Sequence, residues 1–164
     1  MSLSPQTLSP NPSSCGAVGS AAAFACDANR RSIYVDCEDE FARFKWLESE
    51  KAGHDVGELA IYRWLKMHWW GYLRARWLEH LQGKCFWIEL DRGDFGLLLR
   101  AFQEEKDLLD AIVGHLKDGR ENLDVIRWAK ANQISIEPVI RILEALDINS
   151  RRLVHEIELR GSHC

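Results

Sequence analysis

Residues 56–82 hold four tryptophans, Trp64, Trp69, Trp70 and Trp77, in a stretch free of proline whose apolar residues recur at helical spacing. A helix this long and aromatic must cover at least one of its faces, so the other elements have to be arranged around it. Tryptophan is also the outlier of the composition, with seven in 164 residues. The helix over 56–82 is therefore expected to be the central element of the fold.

The rest of the chain is ordinary in size and polarity. Hydrophobic residues make up 46% and charged residues 28%, a profile that supports a buried core within one domain. The net charge of -4 excludes binding to nucleic acid through bulk positive charge, although it permits a local basic stripe. Five cysteines, Cys15, Cys26, Cys37, Cys85 and Cys164, form an odd set with no metal-ligand spacing. Reduced thiols in a cytoplasmic protein are the expectation. The small apolar run 16–26, ending in Ala25-Cys26, is the one feature that suggests export. The first basic residue is Arg30, however, so a positive leader region is missing. No apolar run reaches the length of a membrane span.

Along the chain, residues 1–30 hold three of the four prolines and are rich in serine and alanine. They read as a flexible, disordered N-terminal tail that buries too little apolar surface to offset its ordering entropy. Residues 31–164 read as a single helical domain. Helices are expected over 37–52, ended by Gly53, and over 56–82. A strand-like run without an obvious partner follows at 85–90. Further helices are expected over 94–117, capped by Asp94, and over 121–132, 136–147 and 150–160. The fold class is all-α, a compact multi-helix bundle of five or six helices with at most one short strand.

Charge is distributed unevenly. Residues 62–84 hold five basic side chains and one acidic, while the flanking segments 31–61 and 85–124 carry net charges of -4 and -5. At 100° per residue, Ile61, Trp64, Leu65, His68, Tyr72 and Ala75 fall on one side of the long helix and read as core. Arg63, Lys66, Trp70, Arg74 and Trp77 fall on the other, as cations with indoles between them. Such a stripe suits phosphates with stacked bases, an anionic membrane surface, or an acidic protein partner. It is equally compatible with neutralisation by the acidic segments inside the monomer.

Other constellations are weaker. Helices 124–132 and 136–147 have helix-turn-helix proportions, with Arg141, Arg151 and Arg152 as possible nucleic-acid contacts. The exposed face of the second helix also shows Glu137 and Glu144, which a phosphate-lined groove repels. Ile136, Val139, Ile140, Leu143 and Leu146 read as its core side. Glu50, His54 and Glu58 are weak candidates for a metal-dependent enzyme, because Gly53 interrupts the helix between them. Cys85 leads an apolar run and reads as a buried, inert thiol rather than a nucleophile beside His80. His68 reads as an interior histidine. Asp94-Phe95-Gly96 and the nearby Glu89 and Asp91 read as turn and cap chemistry.

The expected function is a non-catalytic binding module that presents Arg63, Lys66, Trp70, Arg74 and Trp77 to an acidic protein partner, or to itself in a homo-oligomer. The alternatives are nucleic-acid binding through the same stripe and metal-dependent catalysis around Glu50, His54 and Glu58. No cofactor is expected.

Overall fold

The computed structural model describes residues 30–155. The tail expected over 1–30 lies outside these residues apart from Arg30. The chain builds β1 (Arg30–Arg31), α1 (Ile33–Ala52), α2 (Leu59–Leu81), β2 (Phe86–Trp87), α3 (Leu97–Ala101), α4 (Lys106–Lys117), α5 (Asn122–Ala131) and α6 (Ile136–Leu146). A single 3-10 turn, Ile148–Ser150, follows. The fold is all-α, with six helices among the described residues, and the strand-like run does find a partner: β1 and β2 pair in parallel, Arg30 with Phe86 and Arg31 with Trp87.

α1 begins four residues earlier than its acidic turn suggested, because its first N–H groups are satisfied from far along the chain. The Ile33 N–H donates to the Glu89 carboxylate at 2.9 Å, and the Ser32 hydroxyl donates to the same side chain. An N-terminal cap supplied by a loop after β2 has no local signature. Ile33, Cys37 and Phe41 form the fully buried stripe. The helix ends as expected at Gly53, whose φ of 71° is left-handed.

α2 starts at Leu59 rather than at residue 56, since Asp55 accepts the Gly57 N–H at 2.9 Å and holds a turn there. α1 and α2 then form an antiparallel hairpin, with Phe41 edge-on to Trp64 at 4.9 Å and the Tyr72 hydroxyl donating to the Ile33 carbonyl at 3.1 Å. At the far end of this hairpin Asp36 accepts from Tyr72 at 2.7 Å and from Arg76 at 2.9 Å, and pairs with Arg31. The Arg76 guanidinium also lies over the rings of Tyr72 and Trp87. α1, α2 and the strand pair are clamped together at this point. Burial works to raise the Asp36 pKa, but the hydrogen bonds from Tyr72 and Arg76, with the charges of Arg76 and Arg31, hold it below the ordinary value of 3.8.

The single helix expected over 94–117 is broken. α3 stops at Ala101, and Phe102 leaves the helix with φ -129° before α4 begins at Lys106. The charged run 103–107 supplies no core residue, and the break lets both Phe102 and Leu109 be buried. α5 and α6 form a helical hairpin through a turn at Gln133, which has φ 57°. On α6 the buried residues are Val139, Ile142, Leu143 and Leu146. Ile140, expected in the core, is instead exposed, and Ile142 takes that place.

The helix expected over 150–160 does not form within the described residues. Residues 151–155 have no regular secondary structure; residues 156–160 lie outside the description. This strap runs over α2, where Trp69 Nε1 donates to the Leu153 carbonyl at 2.6 Å. Just before it, Trp77 Nε1 donates to the carbonyl of Leu146, the last residue of α6, at 2.7 Å. His155 closes the strap in a cage of Tyr34, Phe41 and Trp69, with ring centroids 5.1–5.5 Å away. The Leu153 carbonyl, outside any helix, finds its donor in an indole. Among the described residues, no helix is long and apolar enough to cross a membrane.

Candidate anion-binding cleft

The five residues of the predicted stripe do not share one exposed face. Arg63 and Lys66 are exposed. Arg63 lies 3.9 Å from the Glu48 carboxylate, and Lys66 has no ion pair among the described residues. Trp70 is half-buried, with 41% of its surface exposed, whereas Trp77 is 2% exposed and belongs to the core. Arg74 is largely covered and pairs with Glu121 at 2.7 Å. The stripe therefore starts at the surface and descends into the bundle. The opposite face deviates too: Trp64, Leu65 and Tyr72 are buried as expected, but His68 is exposed and rests edge-on against Phe44 at 5.6 Å.

The strap brings Arg151 and Arg152 to the descending end of this stripe. The Arg152 guanidinium lies over the Trp70 ring at 5.3 Å, and that of Arg151 over the Trp77 ring at 4.2 Å. Together with Arg74, Leu73, Ile148 and Asn149, these four side chains line a small cleft of about 40 Å³. Three guanidinium groups converge on it and no carboxylate lines it. Three of the stripe residues, Trp70, Arg74 and Trp77, thus meet two of the C-terminal arginines in one place, while Arg63 and Lys66 stay outside it. Arg141 does not join them; it pairs with Glu105.

Beside the cleft runs a chain of polar groups that leads from the surface at Asp91 to the buried His80. Arg151 Nη2 donates to Asp94 at 2.7 Å, and Asp94 and Asp91 each place a carboxylate oxygen 3.4 Å from His80 Nε2. His80 is fully buried and stacks on Trp77 with an interplanar angle of 14°. Its Nδ1 accepts the Trp87 N–H at 3.1 Å, so the neutral ring carries its proton on Nε2, facing the two carboxylates. Burial pushes the His80 pKa below 6.5 against the opposing pull of Asp94 and Asp91.

His80, Asp91 and Asp94 are close enough to hold a divalent ion, and the donor set has to be tested against that reading. A metal on Nε2 needs a bare nitrogen there, and metal-bound histidines normally donate through the other nitrogen. Here the other nitrogen accepts. A protonated Nε2 has no lone pair for a cation, and it faces the two carboxylates at 3.4 Å without a hydrogen bond to either.

The weaker candidates are not drawn together. Glu50, His54 and Glu58 are all exposed, and among the described residues they do not form a metal-ligating group. His54 Nδ1 faces the Ala52 carbonyl at 3.1 Å. Burial raises the pKa of the Cys85 thiol and pushes that of Cys37 up to about 12, so both are poor nucleophiles. Asn149, Asp94, Glu121 and His80 are the participants that sequence reasoning missed. Their only linear signal is the placement of Asn149 and two arginines just past the end of α6, where a chain turns back.

Compared with protein-family models, curated proteins and solved structures, the chain matches none. The functional reading accordingly rests on the cleft itself.

Proposed function

We propose that this protein is a non-catalytic binding module that receives an acidic segment of a protein partner at the cleft, with Lys66 and Arg63 as flanking contacts. The observation that carries this reading is the convergence of Arg74, Arg151 and Arg152 beside a half-exposed Trp70 in a recess without a lining carboxylate. Arginine and tryptophan at the centre of a recess are the side chains most enriched at binding hot spots. The buried, unoxidised thiol of Cys37 suits a reducing, cytoplasmic setting.

Nucleic-acid binding is the second reading. It is favoured by Lys66, which has no carboxylate partner among the described residues, and by the exposed ring of Trp70 as a platform for one base. Anisotropy titrations with labelled hexaglutamate and with a single-stranded oligonucleotide, each at low and moderate salt, separate the two. Hexaglutamate binding that Trp70→Ala and Arg152→Gln both weaken is the expected result. Oligonucleotide binding that collapses with added salt, alongside silent hexaglutamate, transfers the site to nucleic acid. Concentration-dependent self-association without any ligand makes the partner a second copy of this chain. If neither probe binds at low salt and the chain stays monomeric, the module reading is wrong.

A further inference from the structure

We infer that the cleft is a receptor for one carboxylate group, read by Arg151, and that on an acidic protein partner this group is an aspartate or glutamate side chain. The inference rests on the binding-module reading above and narrows it to a single chemical group. Arg151 is the reason to look inside the cleft rather than at its rim. Its side chain is only 14% exposed, and although Nη2 is engaged by Asp94, Nε and Nη1 are buried without a hydrogen-bond partner among the described residues. Buried donors of a charged group are almost always bonded, so two unpaired donors on a side chain that lines a cleft mark a place where an acceptor belongs.

Charge sets the kind of acceptor. The three guanidinium groups of the lining are already opposed by two carboxylates just outside it, Asp94 on Arg151 and Glu121 on Arg74. One positive charge is left, that of Arg152, which has the Trp70 ring but no acidic partner among the described residues. A monoanion neutralises this remainder, whereas a phosphate dianion leaves a net negative charge in a half-buried place. Size agrees with charge. The interior amounts to about 40 Å³, room for roughly three water molecules. A carboxylate fits such a space, and a nucleobase does not. A base also finds no free stacking partner inside, since the Trp77 ring is already engaged by Arg151 and His80. Asn149 at the mouth adds an amide that can donate to an entering oxygen.

The test is nuclear magnetic resonance of the full chain, following the Arg151 Nε–H and the Trp70 and Trp77 indole N–H signals. Sodium acetate, sodium phosphate and sodium chloride are titrated at matched ionic strength, and hexaglutamate is titrated separately. Acetate should move the Arg151 and Trp77 signals saturably, with phosphate near the chloride baseline. Asn149→Asp, at an exposed position, places a carboxylate at the mouth and should abolish the acetate response while the remaining spectrum stays folded. The inference fails if acetate behaves like chloride, if phosphate gives the larger saturable shift, or if Asn149→Asp leaves the acetate response intact. Hexaglutamate that moves Trp70 while Arg151 stays still keeps the binding module and overturns the carboxylate receptor. Acetate that moves Arg151 while hexaglutamate moves nothing keeps the receptor and overturns the protein-partner reading.

Discussion

Trp70 and Trp77 lie two helical turns apart on one face of α2, and they do opposite work. Trp70 leaves 41% of its surface in solvent and carries Arg152 on its ring, while Trp77 is sealed in the core with its N–H on the Leu146 carbonyl. A helical wheel treats the two as equivalent. What separates them is the set of elements that cross α2 at each height. α2 packs on α1, β2, α3 and α4; Phe41 of α1 meets it at Trp64, whereas Phe86 of β2 and Phe95 in the turn before α3 enclose it near its C-terminal end, at His80. Burial along a long helix is thus set by what crosses it, and periodicity only limits which residues are eligible.

The sharpest way to break this contrast is to remove the buried indole. Trp77→Ala should destabilise the fold by about 3–5 kcal/mol, the usual cost of deleting a large core aromatic. It also leaves the Leu146 carbonyl without its donor. Urea denaturation followed by circular dichroism measures the loss. A change below about 1 kcal/mol would mean that Trp77 is not a core residue and that the two indoles are equivalent after all.

The enclosed half of α2 depends on a charged clamp as well as on apolar packing. Asp36→Asn should cost about 1.5–3 kcal/mol, because Arg76 loses a charge-assisted hydrogen bond in a half-buried place. Glu48→Gln, in the exposed ion pairs near Lys51 and Arg63, should leave the urea midpoint where it was. The pH dependence sharpens the pair. The folded-state pKa of Asp36 is depressed, so its contribution is complete above the ordinary 3.8 and is lost as pH falls through the folded value. Asn at this position should flatten the acid limb of the stability curve.

How much of this was legible in the sequence follows from the range of each interaction. The helical bundle, the central aromatic helix and the stop at Gly53 depend on residues near one another in the chain, and local periodicity and capping reveal them. The start of α1 depends on Glu89, and the extended strap depends on the indole of Trp69 and on Arg151 over the ring of Trp77. Both are contacts across many residues, and neither leaves a local pattern. Arginines 74, 151 and 152 were each visible as cations, but their meeting required the strap to leave the helical path expected of it. His68 and Trp77 were misplaced for the same reason: the wheel measures direction around the axis and carries no information about what lies along it.

His80 offers a milder probe of the enclosed half. Its folded-state pKa is depressed below 6.5, so its contribution is fully present above that value and declines as pH falls through the folded pKa. His80→Asn keeps an acceptor for the Trp87 N–H and removes the titrating ring. The wild-type protein should lose stability between pH 7 and pH 5, by about 1.4 kcal/mol for each unit of pKa separation, and the variant should lose less. Parallel curves for the two proteins would show that the Asp91 and Asp94 carboxylates stabilise the protonated ring as well as burial opposes it.

Trp70 should give the smallest effect on stability and the largest on binding. Its ring covers part of the surface and receives Arg152, a contact worth about 0.5–1 kcal/mol when exposed. Trp70→Ala should therefore shift the urea midpoint by no more than that contact accounts for. The same substitution removes one wall of the cleft and frees Arg152 to wander, so affinity for hexaglutamate should fall about tenfold, equivalent to about 1.4 kcal/mol. A residue that is nearly neutral for folding and costly for binding is held in place for a ligand. If Trp70→Ala instead destabilises the protein as much as Trp77→Ala, its exposure is incidental, the strap is its purpose, and the cleft loses its claim as a binding surface.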